Sequence, residues 1–356
     1  MYQSSMKRKN LLGLSREELI ALAVETGGRP FRGKQLYQQI YRRKNFDWIE
    51  MTDLAIAFRE RLARDFRVTL PSVANRLDSS DGSTKFLMEL EDGLRIESVY
   101  IPEKGRDTLC ISSQVGCDVG CTFCMTAQMG FLRNLTPGEI VGQVLRVIQE
   151  GALGSGGFNV VFMGMGEPLY NYRNVMKAFR LMTDPEGMNL SRRKITISTS
   201  GVAPVLEKML GEEFVPNLAI SLNAVTGELR DRIMPINRKW NIETLLSVCK
   251  RLYREEPRRR LTFEYVLLKD ENDSDQDAVR LANLLQGIPS KVNVLPYNPN
   301  PRLLHSRTDP ERVQRFCRFL ADRQVAVFVR KTRGDDISAA CGQLAWLHPD
   351  RAGIST

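Results

Sequence analysis

The chain has 356 residues, with 51 Lys and Arg against 42 Asp and Glu, which gives a formal net charge of +9. This length allows one large core with a smaller appendage, and the charge favours a polyanionic partner, although many proteins of such charge bind no nucleic acid. The seven unevenly spaced cysteines do not suit a secreted disulfide scaffold, and no apolar run approaches the ~18 residues of a membrane span. We therefore expect a soluble, cytoplasmic protein with reduced thiols and no membrane contact.

The first predicted unit, residues 1–70, is a small helical domain with an accessory role in RNA binding. Ser15 is a suitable N-cap, because two glutamates and several apolar residues follow it. Between Phe31 and Trp48, aromatic side chains alternate with cations, a mixture that suits phosphate contact and base stacking. The same spacing also suits internal packing of the aromatics with the cations in solvent, an alternative that concerns Tyr37, Ile40 and Tyr41.

The second predicted unit, residues 71–103, is a β-hairpin that links the helical domain to the rest of the chain. Two strand-like runs, Lys85–Leu90 and Leu94–Ile101, flank the pair Asp92-Gly93. Asp-Gly between two such runs is a strong hairpin signal, because both residues accept positive φ angles.

The third predicted unit, residues 104–356, alternates short β-rich runs with helical patterns. Repeated strand-helix units predict a parallel sheet, and six or more of them can curl into a barrel or a partial barrel. The predicted strands are Leu109–Ser112, Asn159–Met163, Lys194–Ser198, Leu218–Leu222, Thr262–Leu267, Val292–Leu295 and Ala326–Arg330.

The first loop of this unit carries the run Cys117-Asp-Val-Gly-Cys121-Thr-Phe-Cys124. Three thiolates can hold three irons of a 4Fe–4S cluster and leave the fourth iron open. A structural zinc site would need a fourth Cys or His ligand, and the two histidines, His305 and His348, are distant in sequence. The spacing therefore favours an open-iron cluster held by Cys117, Cys121 and Cys124.

Several further motifs follow or precede this run in a fixed order. They are Ser112-Ser113-Gln114-Val115-Gly116, Arg133-Asn134-Leu135-Thr136, Gly164-Met165-Gly166-Glu167-Pro168 and Ala339-Ala340-Cys341-Gly342-Gln343-Leu344. With these motifs the sequence resembles the RlmN family of radical S-adenosylmethionine (SAM) enzymes from about Leu12 to Leu344. The resemblance implies an α/β fold, in which a partial (β/α)6 barrel follows the helical domain and the bridging hairpin.

Active sites of βα barrels lie where the strands end, and the motifs fall at the predicted strand ends. Two glycines in Gly164-Met165-Gly166 let the backbone approach a ligand closely. Family members often carry His where this chain has Asn223, and a main-chain contact would survive that change. The resemblance implies that SAM is bound by Gly166, Glu167, Ser198, Ser221, Leu222, Asn223 and Asn298.

Carbon 2 of adenine is electron-poor, so it cannot attack the methyl group of SAM, whereas a carbon radical can attack it. A cluster with an open iron binds SAM and supplies the electron that cleaves it to a 5′-deoxyadenosyl radical. The resemblance implies one cluster per chain and two SAM molecules per turnover, the first of which methylates Cys341. It also assigns removal of the C2 proton to Glu97, and release of the product through a Cys110–Cys341 disulfide to Cys110.

The sequence around Cys110, Glu97 and Cys341 does not by itself predict these roles. Cys110 lies in an apolar strand, which predicts burial, and Glu97 alternates with apolar residues as a solvent-facing side chain would. Cys341 follows a Gly-Asp-Asp loop and is less typical of a core. Cys249 and Cys317 lie on apolar helical stripes, so we assign them to the core.

The resemblance implies methylation of carbon 2 of adenosine 2503 in 23S rRNA and of adenosine 37 in a subset of tRNAs. Its expected partners are those two RNAs and a one-electron donor such as flavodoxin or ferredoxin, and we expect a monomer. One alternative is Cfr-like methylation of carbon 8 of the same adenine. Another is a non-catalytic RNA-binding protein stabilised by zinc.

Overall fold

The computed structural model describes residues 8–153, 157–255 and 260–345. Its helices are α1 Arg16–Glu25, α2 Pro30–Tyr37, α3 Ile56–Asp65, α4 Met125–Gln128, α5 Pro137–Gln149, α6 Tyr172–Thr183, α7 Ala203–Met209, α8 Gly227–Ile233, α9 Ile242–Glu255, α10 Asp275–Leu284 and α11 Pro310–Ala321. Its strands are β1 Lys9–Asn10, β2 Phe66–Arg67, β3 Ser72–Asp78, β4 Thr84–Glu89, β5 Arg95–Ile101, β6 Thr108–Cys110, β7 Gln114–Gly116, β8 Phe131–Asn134, β9 Asn159–Phe162, β10 Ile195–Thr199, β11 Asn217–Ser221, β12 Leu261–Leu267, β13 Ser290–Pro296 and β14 Ala326–Val329. Among these helices, none is long and apolar enough to cross a lipid bilayer.

Ten of the described strands form one continuous sheet in the order β14-β13-β12-β11-β10-β9-β6-β5-β4-β3. From β6 to β14 every neighbouring pair is parallel. The crossover helices between successive strands are α5, α6, α7, α9, α10 and α11. Six strand-helix units and a last strand, within the described ranges, confirm the predicted α/β partial (β/α)6 barrel. Each predicted barrel strand is present, with ends that differ by two residues or fewer.

Local sequence explains the barrel helices, as α5 illustrates. The Thr136 hydroxyl accepts the Glu139 N–H, and the Glu139 carboxylate accepts the Thr136 N–H, at 3.2 and 2.8 Å. Such a capping box stabilises a helix start by about 1 kcal/mol. Ile140, Val144 and Val147 follow at helical spacing and are buried against the sheet. Their burial fixes the helix across the strands that carry the site.

In the N-terminal domain, Ser15 caps α1 as predicted, and it forms a capping box with Glu18. Tyr37 and Tyr41 are buried, with ring centroids 4.8 Å apart. The Tyr41 hydroxyl accepts the Gly13 N–H at 2.8 Å and so belongs to the core of the domain. Internal packing is therefore the correct interpretation for these aromatics, whereas the cations of this segment that stay exposed are Lys34, Arg42, Arg43 and Lys44.

The helical domain lies directly against the barrel. A Cβ atom on Gly13 would be 2.4 Å from the Gly138 nitrogen, and one on Gly138 would be 2.3 Å from the Leu12 oxygen. These two backbones approach so closely that a side chain does not fit between them. The Tyr37 hydroxyl also donates a 3.0 Å hydrogen bond to the Asp184 carboxylate, beyond the end of α6.

The predicted hairpin is present as β4 and β5, and the structure extends it on both sides. β3 pairs with β4 and β5 pairs with β6, both antiparallel, so the hairpin continues the barrel sheet. The domain boundaries at residues 70/71 and 103/104 stay predictions. Residues 346–356 of the third predicted unit lie outside the described residues.

Candidate active site

A cavity opens at the carboxyl ends of the barrel strands, and most of the predicted site residues line it. The strands β9, β10, β11, β12 and β13 end there, as expected for a βα barrel. The predicted residues at this cavity are Cys117, Cys121, Cys124, Gly166, Glu167, Ser198, Ser221, Asn223, Asn298 and Cys341. Leu222, Glu97 and Cys110 are not among its lining residues.

The cysteine loop follows β7 and is fixed by its neighbours. The Cys117 N–H donates to the Gly130 carbonyl at 3.1 Å, and the Thr122 N–H donates to the Ile233 carbonyl at 3.0 Å. Gly116 has φ +75°, and a Cβ atom there would collide with the Gly130 oxygen. A glycine is therefore required where the chain turns from β7 into the cysteine run.

The three cysteines are half-buried, and their thiols would repel one another once ionised. Burial raises the pKa of Cys117 to about 12, and it also raises the pKa of Cys121 and Cys124. The neighbouring thiols add to the rise at Cys121, because each thiolate disfavours the next. Iron binds the thiolate form of cysteine. A metal group that supplies positive charge would therefore offset both the cost of burying a thiolate and the repulsion between neighbouring thiolates.

The donor set fits an iron–sulfur cluster better than a single ion. In the described ranges, no group of three or more His, Cys, Asp and Glu side chains is arranged to hold one metal ion. The three thiols of the cysteine run nevertheless line one cavity, together with glycine backbone, polar side chains and the more distant Cys341 of another segment. Soft thiolates select iron–sulfur clusters, and the donor set of three leaves one iron of a cubane open.

Glu167 and Gly166 form the floor of the cavity after β9. Gly166 has φ +97°, and a Cβ atom there would be 2.5 Å from the Gln114 Cβ. The Glu167 carboxylate accepts the Ser200 N–H and hydroxyl at 2.7 and 2.6 Å, and the Leu169 N–H at 2.9 Å. Burial raises the pKa of Glu167, and these donors oppose the rise. A bound ammonium group would favour the ionised carboxylate further.

Two of the other predicted SAM ligands already use their polar groups within the protein. Asn223 has φ +57°, its amide donates to the Met234 sulfur, and its side-chain oxygen accepts the Val266 N–H at 2.9 Å. Leu222 is fully buried; its N–H donates to Glu264 and its carbonyl accepts from Arg230. Both backbone groups of Leu222 are therefore already hydrogen-bonded within the protein and are not available to bind SAM.

Cys341 lies on a segment that we call the Cys341 loop, residues 334–345. The Gly342 carbonyl accepts the Met125 N–H at 2.7 Å, and the Leu344 carbonyl accepts the Thr126 hydroxyl at 2.6 Å. Through these bonds the loop packs on the residues that follow Cys124. Cys341 itself is exposed and faces the cavity that the cluster cysteines line.

Cys110, at the end of β6, is buried as its sequence pattern predicted. Burial raises its pKa to about 12, and the nearby Cys341 contributes to the rise. Both cysteines are free thiols, so the expected Cys110–Cys341 disulfide is not present in this structure. The effect of Cys341 on Cys110 indicates that the two thiols lie near each other, although Cys110 does not line the cavity.

Glu97 contradicts its local pattern, which predicted a solvent-facing side chain. The residue is 5% exposed, because the Cys341 loop covers that face of the hairpin. Its Oε1 is 3.2 Å from Lys85 Nζ, and its Oε2 accepts the Ala345 N–H at 2.9 Å. Burial raises the pKa of Glu97, whereas Lys85 opposes the rise. A carboxylate in such a place is suited to take up a proton.

Comparison with known proteins agrees with this geometry. Residues 111–282 match the model of the Radical SAM superfamily, and residues 9–68 match that of the ribosomal RNA large subunit methyltransferase N-terminal domain. A dual-specificity RNA methyltransferase RlmN of Halorhodospira halophila is 48% identical over 94% of this chain and 92% of its own length. Another, of Anaeromyxobacter dehalogenans, is 49% identical over 94% of this chain and 91% of its own length. The chain belongs to the RlmN family of radical SAM methyltransferases.

A solved structure supports the same assignment for the fold. The crystal structure of a radical SAM methyltransferase from Sphaerobacter thermophilus is 40% identical and covers 94% of this chain and 99% of its own. The TM-score between the two is 0.89. Membership of the RlmN family, whose members are enzymes, replaces the alternative of a non-catalytic protein stabilised by zinc.

Sequence reasoning missed Arg230, which lies on α8 in this member of the RlmN family. The side chain is fully buried, and burial lowers its pKa to about 10. Its guanidinium donates to the carbonyls of Ser200, Ser221 and Leu222 at 2.6, 3.1 and 3.0 Å. Arg230 therefore fastens together the loops that follow β10 and β11. An arginine flanked by charged helix residues gave no sequence signal for this role.

Glu264 and Arg330 are a second pair of missed residues in the cavity wall. Glu264 Oε2 is buried without a hydrogen-bond partner among the described residues, and Arg330 Nη1 is 3.8 Å away. Burial raises the pKa of Glu264, and Arg330 opposes the rise. Arg330 also donates to the Met163 sulfur at 3.4 Å. Its positive charge opposes the rise in the pKa of Cys110. An acid inside the apolar run Thr262–Leu267 was the available sequence signal.

Proposed function

We propose that this protein methylates carbon 2 of adenosine 2503 in 23S rRNA and of adenosine 37 in a subset of tRNAs. The observation that carries the proposal is the presence of Cys341 and the three cluster cysteines in the wall of one cavity. A methyl-accepting thiol beside a site for SAM cleavage suits radical methylation of an electron-poor ring carbon. The curated relatives are named dual-specificity RNA methyltransferases, which supports action on two kinds of RNA.

Cys117, Cys121 and Cys124 would hold one 4Fe–4S cluster through three thiolates. When bound, the cluster supplies the open iron and the electron that cleave SAM. Glu167 offers a buried carboxylate to the ammonium group of SAM, and Gly166 keeps the backbone close. The polar residues Ser198, Ser221, Asn223 and Asn298 line the remaining wall for the rest of the molecule.

Three further residues carry the covalent chemistry. The Cys341 thiolate takes a methyl group from a first SAM, so two SAM molecules are used in each turnover. The 5′-deoxyadenosyl radical from the second SAM would remove one hydrogen atom from the S-methyl group, and the resulting carbon radical would add to adenine C2. The adduct then loses one electron, which returns to the oxidised cluster, and Glu97 accepts the C2 proton, so that the ring is aromatic again. The Cys110 thiolate then attacks the Cys341 sulfur, and the carbon–sulfur bond breaks with its electron pair on the adenine-bound CH2 group. That group takes up a proton to become the methyl group, which leaves a transient Cys110–Cys341 disulfide. The proximity of the two free thiols supports this last step.

The partners follow from the same chemistry. The exposed cations Arg42, Arg43 and Lys44 of the helical domain offer phosphate contacts to 23S rRNA and tRNA. A flavodoxin or ferredoxin would supply single electrons, and the protein would act as a monomer in the cytoplasm.

The decisive experiment uses protein purified and reconstituted without oxygen. With a reductant and SAM it should form 5′-deoxyadenosine, and with 23S rRNA or tRNA it should yield 2-methyladenosine, identified by nucleoside mass spectrometry. Failure to form 5′-deoxyadenosine in iron-loaded protein would reject the radical SAM mechanism. Detection of 8-methyladenosine instead would replace the proposal with Cfr-like chemistry.

A further inference from the structure

The Cys341 loop begins with contacts to the turn between β3 and β4. The Gly334 N–H donates to Asp81 Oδ2 at 2.9 Å. The Asp336 carboxylate accepts the Ser79 hydroxyl at 2.6 Å and the Ser80 N–H at 3.0 Å. The hairpin unit is thus the surface on which the first half of the loop rests.

A buried ion pair on the same unit holds both sides of the cysteine. Lys85 on β4 and Glu97 on β5 have side chains that are 11% and 6% exposed. Lys85 Nζ, besides pairing with Glu97, donates to the Ser338 carbonyl at 3.1 Å, and Glu97 Oε2 accepts the Ala345 N–H at 2.9 Å. Ser338 precedes Cys341 by three residues and Ala345 follows it by four. One ion pair therefore spans the cysteine.

We propose that Lys85 is a positioning residue, which fixes Glu97 and both flanks of Cys341 in one arrangement through this buried ion pair. The reason is electrostatic as well as geometric. A buried carboxylate without a cation binds a proton, and a protonated Glu97 is a poorer acceptor for the Ala345 N–H. Lys85 keeps the carboxylate ionised and so keeps the second half of the loop attached.

Lys85 is the cation that keeps the Glu97 carboxylate ionised, as the other groups around this carboxylate show. Among the described groups that act on its carboxylate, Lys85 provides the charge, and the Cys341 loop provides the neutral Ala345 N–H. From the barrel, the Ser112 hydroxyl binds the Glu97 main-chain carbonyl at 2.7 Å and leaves the carboxylate unaffected.

The same contacts link movement of the Cys341 loop to removal of the C2 proton. This link rests on the proposed function of Glu97 as the base. Glu97 Oε2 accepts the Ala345 N–H, and an oxygen engaged with a donor is a weaker base for the proton of adenine C2. Displacement of the Cys341 loop would free this oxygen. Loop movement and proton removal are thereby coupled through one atom.

The test is hydrogen–deuterium exchange of the cluster-loaded protein, without RNA and without turnover. Lys85→Met should increase the exchange of the Ala345 and Met125 amides at least tenfold, because the loop loses its attachment. Lys85→Arg, which retains the charge, should restore most of the protection. The matched control is Lys104→Met, at an exposed lysine in the turn after β5, which should change neither amide. Unchanged exchange in Lys85→Met would overturn the proposal.

A pH series separates positioning from a merely structural effect. After correction for intrinsic exchange, protection of the Ala345 amide should be lost as pH falls through the pKa of Glu97. Lys85→Met should move this loss to higher pH, since removal of the cation raises the pKa further. A midpoint that does not move contradicts the proposal.

Should Lys85→Met fail to fold, the double variant Lys85→Met/Glu97→Gln removes the unpaired charge and keeps the volume. Fast exchange of Ala345 in that variant supports the proposal, and wild-type exchange overturns it. Because the readout needs no methylation, failure of the proposed function leaves the result intact. Conversely, a methylating protein with unchanged exchange rejects the role of Lys85 alone.

Discussion

The backbone N–H of Met125 donates a 2.7 Å hydrogen bond to the carbonyl oxygen of Gly342. Met125 directly follows Cys124, and Gly342 directly follows Cys341. The bond therefore joins the end of the cysteine run to the residue after the proposed methyl acceptor. The two halves of the proposed chemistry are held together by main chain, which small side-chain changes do not disturb.

Cys341→Ala should abolish RNA methylation and leave uncoupled cleavage of SAM to 5′-deoxyadenosine. The alanine removes the methyl acceptor but keeps the backbone that packs on the cysteine run. Product analysis by liquid chromatography and iron determination measure both effects. Cys317→Ala, at a half-buried cysteine of α11, is the control and should retain methylation. Normal methylation by Cys341→Ala would remove that residue from the mechanism.

Cys110→Ala should trap protein covalently joined to RNA, because the thiol that resolves the adduct is gone. The adduct is visible as a band of low mobility that nuclease removes. Cys249→Ala, at another buried cysteine, tests whether loss of a core thiol alone produces such a band, and it should not. An active Cys110→Ala preparation that forms no adduct would contradict the role of Cys110.

Glu97→Gln should slow adduct resolution far more than formation of 5′-deoxyadenosine. The carboxylate must be ionised to accept a proton, and burial raises its pKa above the ordinary 4.5. In the wild type, resolution should therefore be fast at neutral pH and fall as pH drops through this raised pKa. Single-turnover rates against pH measure the acidic limb, which should vanish in Glu97→Gln. An unchanged limb would assign it to another group.

Gly166→Ala should lower the free energy of unfolding by about 3 kcal/mol, from a strained backbone and a clash. A Cβ atom at φ +97° would lie 2.5 Å from Gln114. Gly151→Ala is the matched control, since Gly151 has φ +71° with open space around it, and it should cost about 1 kcal/mol. Urea unfolding gives both values. Equal losses of unfolding free energy in the two variants would show that the close approach of Gln114 to Gly166 does not matter for stability.

Arg230→Met should destabilise the protein by about 3 kcal/mol or more, because it strands buried carbonyls that now accept charged hydrogen bonds. It should also weaken SAM binding, since those carbonyls belong to the loops after β10 and β11. Arg232→Met removes an arginine of the same helix whose side chain is 66% exposed, and it should change stability by less than about 0.5 kcal/mol. A stable Arg230→Met with normal affinity would reject the fastening role.

The barrel was predictable because its strands are short β-rich runs between clear helical patterns. Their ends differ from the prediction by two residues or fewer, and the cysteine run follows the first strand as expected. The individual site residues came from the family resemblance, and the strand pattern predicted only that their motifs would meet at one end of the barrel. Parallel strands deliver their ends to one place, so order along the chain becomes proximity in space.

The environment of Glu97 was not predictable from its neighbours in sequence. Alternation in a hairpin describes one strand face, but it does not tell what covers that face, here a loop whose Ala345 contacts Glu97. The role of Arg230 was missed for a related reason. Its hydrogen-bond acceptors are main-chain carbonyls, which every residue carries, so no sequence pattern marks them. Leu222 was assigned to SAM by resemblance, whereas its backbone groups bond to Arg230 and Glu264.

Gly13 and Gly138 bring the helical domain and the barrel together without any intervening layer of side chains. A methyl group at either position would act as a wedge, since it would lie within 2.4 Å of the opposing backbone. A larger residue at either position would therefore have to push the helical domain away from the barrel at this contact.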